Sequence, residues 1–142
     1  MMVTVEYALE IAEEACKNAG YDRRALPPTL KVVHLISWVE YEVTLGGVLG
    51  WLTNMGEYGP DTVKALETVG AHQCAAIVRE ILAFFPDGAP ASGDHERVQQ
   101  ILAVEDIAES HWRELGDRLL AWPDDIYVLL GKFIAEHEAD FA

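Results

Sequence analysis

Apolar residues return at helical spacing along nearly the whole chain. Between residues 4 and 19, Ala8, Ile11, Ala12, Ala15 and Cys16 fall on one face, with Thr4 placed to cap the start and Gly20 to stop the helix. The pair Pro27–Pro28 opens a second helix that runs to about Val43 on Leu30, Val33, Ile36, Val39 and Val43, and Gly46–Gly47 breaks it. Val48 to Asn54 reads as one or two helical turns that carry Trp51 inward, and Gly56 and Gly59 punctuate the loop after it. With Pro60 at the first helical position, Asp61 to Val69 forms a helix closed by Gly70. Ala71 to Phe85 forms its hairpin partner, with Cys74, Ile77, Val78, Ile81 and Phe85 as the core stripe. Residues 86 to 94, PDGAPASGD, read as an exposed loop. Three helices are expected after it: about Asp94 to Ala103, about Asp106 to Ala121, and Asp124 to nearly the end, the last two separated by Pro123.

No window alternates β-branched and polar residues between turn signals, so the predicted class is all-α: a compact multi-helix bundle in a single domain over residues 1–142. The longest apolar stretches are interrupted by charge, as Arg79 and Glu80 interrupt AAIVREILAFF, and fall short of the ~20 residues that cross a bilayer. Acids stand near the N-terminus where a secretory signal carries bases, and the expected location is the cytoplasm. Cys16 and Cys74 stand far apart with no CxxC, which reads as two reduced core residues.

Charge narrows the function. The chain has 24 Asp+Glu against 10 Lys+Arg, a net −14. Direct binding to nucleic acid or an anionic membrane is disfavoured, because phosphate recognition needs clustered bases and here only Arg23–Arg24 are adjacent. Basic partners are favoured, beside the plainer reading that a net-negative surface only keeps an accessory domain soluble. Residues 87 to 142 hold thirteen acids and four bases, so this part carries −9 of the −14. Several acids recur one helical turn apart: Glu6, Glu10 and Glu14; Glu105 and Glu109; Glu136 and Asp140. Each such like-charge pair costs an isolated helix roughly 0.2–0.5 kcal/mol, so stability alone would not select them. Their separation of ~5–6 Å is comparable with the ~3.4 Å rise per phosphate of a nucleic-acid strand. The candidate partner surface is therefore Glu105, Asp106, Glu109, Asp117, Asp124 and Asp125, together with Glu6, Glu10 and Glu14. Against that stands a structural role for some of them: Asp124 and Asp125 are placed to cap the last helix, and Glu6 sits at a favourable helix N-terminus.

Other chemistry is weakly signalled. Gly46–Gly47–Val48–Leu49–Gly50 lacks both a preceding strand and a Lys-Ser/Thr, and reads as a tight turn between helices. The Glu-x-x-His pair of carboxylate-bridged metal sites is absent. His111 with Glu114 and His137 with Asp140 do share helix faces, which makes a small helical metal-binding protein or enzyme the alternative. Surface pairs are the commoner meaning of that spacing. His34, inside an apolar helix, reads as a core histidine. Neither Ser37 nor Cys74 lies in a nucleophile motif, so no catalytic residue and no cofactor are expected, and binding is favoured over catalysis.

From Pro27 to Pro86 the chain resembles the DNA-mimic-protein domain family of acidic bacterial proteins. The resemblance is carried by Leu26–Pro27–Pro28, by Trp38 with Glu42–Val43 leading into Gly46–Gly47, by Asn54 and Gly56–Glu57–Tyr58, by Ala65–Leu66 and Gly70–Ala71, and by Phe84–Phe85–Pro86. It implies a compact all-helical fold and a protein that occupies a DNA-binding partner. A basic toxin bound in the manner of an immunity or antitoxin-like accessory protein fits the same chemistry, and self-association into a homodimer stays open. The chain departs from the family pattern where an Asn before the glycine pair, a Gln three residues after it and two Phe are usual. Here stand Leu45, Gly50 and Trp51–Leu52, and the loop from Asn54 to Gly56 is one residue shorter. If those amides form a shared polar site, it is lost here. Glu42 and Asn54 read as partly buried residues tying the Gly46–Gly47 turn to its neighbours, and Trp38 and Trp51 as core.

Overall fold

Thr4 accepts a hydrogen bond from the Tyr7 amide at 3.1 Å, and α1 (Val5–Asn18) begins at that cap in the computed structural model, which describes residues 2–142. Ala8, Ala12 and Cys16 are fully buried along one face of α1, and these small residues let it lie close against α2 (Pro28–Met55). Among the described residues every regular element is helical, as the apolar pattern predicts.

α2 remains helical as far as Gly46, beyond the expected end near Val43, because nothing between Val43 and the glycine pair opposes a helix. The break falls on Gly47 alone, whose φ of 68° and ψ of −174° lie in a region that side chains exclude. The helix resumes at once and carries Trp51, which has no exposed surface, into the core. Asn54 Nδ2 donates to Glu42 Oε2 at 3.1 Å, so the two polar landmarks tie one half of the bent helix to the other, with Asn54 exposed and Glu42 half-buried. Trp38 differs from expectation. It is half-buried, because its indole N–H is drawn outward to Glu13 Oε2 at 3.1 Å. By length and composition the stretch Pro28–Thr68 passes as a membrane span. In the fold it bends at Gly47, and α2 contributes Val33, Leu35, Ile36, Val39, Val43 and Leu52 to the core.

The hairpin follows as α3 (Gly59–Thr68) and α4 (His72–Leu82), joined through Gly70 at φ 89°. The two helices approach so closely that a Cβ on Gly59 would lie 2.6 Å from a Leu82 methyl. α4 stops at Leu82, short of Phe85, which precedes Pro86 and is nonetheless buried.

The largest difference from the sequence reading is α5 (Asp94–Leu120), a single helix of 27 residues where two were expected. Only Val104 and Glu105 separate the predicted pieces, and neither breaks a helix. The apolar register is obscured because Arg97 occupies a core position, 1% exposed, while Leu102 and Ile107 face outward at 59% and 72%. Arg97 pins α5 to the end of α2. Its Nε donates to Leu52 O at 2.9 Å, its Nη2 to Thr53 O and Asp94 Oδ1 at 2.7 Å each, and its Nη1 to Ala91 O and Ser92 O at 2.9 and 3.2 Å. The chain closes with α6 (Ile126–Glu136) and a 3₁₀ turn over Glu138–Phe141 that buries Phe141.

Candidate partner interface

α5 packs on α2 and α4 through Ile101, Ala108, Trp112, Leu115 and Leu119, and its outer side is rich in carboxylates. Glu96, Asp106, Glu109, Glu114 and Asp117 are exposed there. Glu109 forms an ion pair with Arg113, one turn on, at 3.0 Å. Among the described residues, Glu96, Asp106, Glu114 and Asp117 have no side-chain partner. Asp106 and Asp117 are eleven positions, about three turns, apart and so share a face. Because α5 is unbroken, the carboxylates from Glu96 to Asp117 are strung along roughly 31 Å of one rigid axis, at about 1.5 Å per residue.

Glu105 departs from this row. It is half-buried and lines, with Glu109 and Arg113, a cleft of about 230 Å³ against Gly46, Gly47 and Leu49. The structure thus brings the glycine corner and two of the candidate carboxylates together, and leaves Asp106 and Asp117 facing solvent.

The C-terminal pair of candidates is engaged elsewhere. Asp124 does not cap α6. Its Oδ2 accepts the Cys74 amide at 2.8 Å and its Oδ1 accepts Gln73 Nε2 at 3.2 Å, which closes the N-terminus of α4 from fifty residues away. Burial pushes the Asp124 carboxyl up, but the Cys74 amide and Gln73 outweigh it and hold the group below the usual range. Asp125 does cap α6, accepting the Val128 amide at 3.2 Å. Asp124 thus spends both carboxylate oxygens on α4, whereas Asp125 spends one on the α6 cap and stays exposed.

On α1, Glu10 and Glu14 are exposed and without partners among the described residues. Glu6 accepts the phenol proton of Tyr127 across to α6, which lowers its pKa and raises that of Tyr127. Glu13, which sequence reasoning passed over, accepts from Trp38 and lies 3.5 Å from His34 Nδ1. His34 is a core histidine, as expected. Burial and the neighbouring Arg23 push its pKa down to about 4 against the opposing pull of Glu13, and Arg23 Nε donates to its Nε2 at 3.1 Å. The same guanidinium lies 5.6 Å from the ring centres of Trp38 and Tyr58.

Of the residues of the metal-binding alternative, His111 and Glu114 line one surface cleft with Phe84 and Arg118. His111 lies tilted against Phe84 with ring centres 5.7 Å apart, His137 bonds the Phe133 carbonyl at 2.8 Å, and Asp140 accepts from Thr29 Oγ1 at 2.6 Å. No group of three or more His, Cys, Asp or Glu side chains is gathered for a metal among the described residues. Burial raises both thiols, that of Cys74 to about 11, far from the thiolate a nucleophile needs at neutral pH.

Sequence reasoning also missed Arg97. Counting back four residues from Ile101 along the buried register would have placed it inside, and a cation at such a position demands a dense set of acceptors. In comparison with known proteins, the profile of the family described as DMP19-like protein matches residues 24–137, most of the chain. No curated protein and no solved structure matches it.

Proposed function

Since the chain belongs to the DMP19-like family, we propose that it is an acidic interaction protein of the DNA-mimic type, which binds rather than catalyses and offers α5 to the basic surface of a DNA-binding protein. The observation that carries this reading is the unbroken α5 with its unpaired carboxylates. A helix broken near residue 104 would present two short acidic pieces at an arbitrary angle. The continuous one holds its charges in line over about 31 Å, close to the ~34 Å of one duplex turn. The bases offer little competition there. Arg97 is buried, Arg113 pairs with Glu109, and Arg118 pairs with Glu80 at 3.3 Å. Such a surface speeds encounter with a basic protein, and its grip weakens as salt rises.

The test uses the wild-type protein and a variant with Asp106→Asn, Glu114→Gln and Asp117→Asn, each immobilised and exposed to an extract of the native cell. Wild type is expected to retain a basic DNA-binding protein that duplex DNA displaces and rising salt releases. The variant should retain it at least about tenfold more weakly, through slower association. Equal retention by the two, or retention that DNA does not disturb, would sink the proposal.

A further inference from the structure

A wide cavity lies away from α5, between α1, α2 and the start of α6, and measures about 580 Å³. Leu9, Ile36, Trp122, Ile126 and Leu130 make its walls. Trp122 holds its place with a left-handed backbone, φ 47°, at the position after α5 where glycine usually stands, so an indole is kept there at a conformational cost. The volume falls within the range of small-molecule sites, roughly 300–1,000 Å³, and exceeds that of any single side chain a partner protein could insert.

The polar groups on this cavity are of one kind. Ser37 donates its hydroxyl proton to the His34 carbonyl at 2.7 Å, which leaves its oxygen free to accept. Glu40 is exposed and has no partner among the described residues. Asp125 spends one oxygen on the Val128 amide and keeps the other. The Tyr127 hydroxyl proton is committed to Glu6. Among the described residues no lysine, arginine or histidine lines the cavity, and the amide-rich end of α6 already faces its own capping carboxylate. The walls take an apolar body and the rim offers acceptors and negative charge, which complements a donor carrying positive charge.

We propose that this cavity binds a small amphiphilic cation, a primary amine on an aliphatic or aromatic body. The site is separate from the acidic face of α5 and independent of the partner proposed for it. Three probes sharing one body decide it: 4-phenylbutylamine, 4-phenylbutan-1-ol and 4-phenylbutanoate, titrated into the ¹⁵N-labelled protein at pH 7. The amine is expected to shift the amides of Leu9, Ser37, Glu40 and Ile126, to bind roughly fivefold tighter than the alcohol, and to exceed the carboxylate further, as one solvated charge contact allows. Glu40→Gln replaces an exposed side chain on a helix and should bring amine and alcohol to within about twofold while leaving the alcohol unchanged. Equal binding of all three probes, shifts that map elsewhere, or no binding at millimolar concentration would overturn the proposal.

Discussion

Four side chains carry unequal burdens. Trp51 is sealed in the core, so Trp51→Ala should cost about 3–5 kcal/mol in urea unfolding, the range for truncating a large aromatic. Trp38→Ala, which removes a half-buried ring and one hydrogen bond to Glu13, should cost only about 1–2 kcal/mol. Arg97→Met removes the donor from the carbonyls of Thr53, Ala91 and Ser92 and one of the two donors to Leu52 O, which keeps the Gly56 amide. With about 1.5–3 kcal/mol for a hydrogen bond from a charged group and water able to reach the exposed carbonyls, the same measurement should show a loss of about 2–4 kcal/mol. His34 sets an acid limit. Its folded pKa of about 4 lies below the 6.5 of the free side chain, so between those values the unfolded chain binds the extra proton. The stability linked to His34 is therefore complete above pH 6.5 and is lost as pH falls through 4, on the order of 3 kcal/mol in all. Unfolding free energies between pH 7 and pH 4 should fall less steeply in His34→Gln than in wild type.

At the scale of elements, the two glycines of the α2 corner are not equivalent. Gly47→Ala forces a side chain into a left-handed backbone and should cost about 1–3 kcal/mol. Gly46→Ala, in ordinary helical space with nothing within 4 Å of the added carbon, should be neutral or stabilising by up to about 1 kcal/mol. Thermal melts of the two variants separate them. The sequence revealed most of this architecture, since Thr4, Pro27–Pro28, Gly47 and Gly70 act through backbone preferences that are local and so readable in order. It hid the unity of α5, because Arg97 occupies a core position by virtue of acceptors supplied from α2 and the 89–93 loop, outside the helix itself. The candidate surface was legible to the same degree. Asp106 and Asp117 are set by helix periodicity alone, whereas the commitment of Asp124 to α4 depends on a contact across fifty residues that no periodicity records.

For the molecule as a whole, a charge of −14 means that each carboxylate left unpaired adds repulsion. The Asp106→Asn, Glu114→Gln, Asp117→Asn variant should therefore melt at the wild-type temperature or a few degrees above it, each neutralised repulsion contributing a few tenths of a kcal/mol. A clear loss in calorimetry would assign these acids to the fold instead of to a partner. The two ends of the chain are also stitched together. Asp124 completes α4, Tyr127 bonds Glu6, the Val3 amide donates to Glu138 at 3.3 Å, and Thr29 donates to Asp140. Both α1 and α4 thus wait for partners that leave the ribosome after residue 120. At about 5–20 residues per second, the nascent chain spends several seconds with α4 uncapped and the Val5 and Glu6 end of α1 without its α6 neighbours. During synthesis the early helices can form before these contacts do, and a chain stalled at residue 121 should be cut by protease at the start of α1 faster than the full chain is.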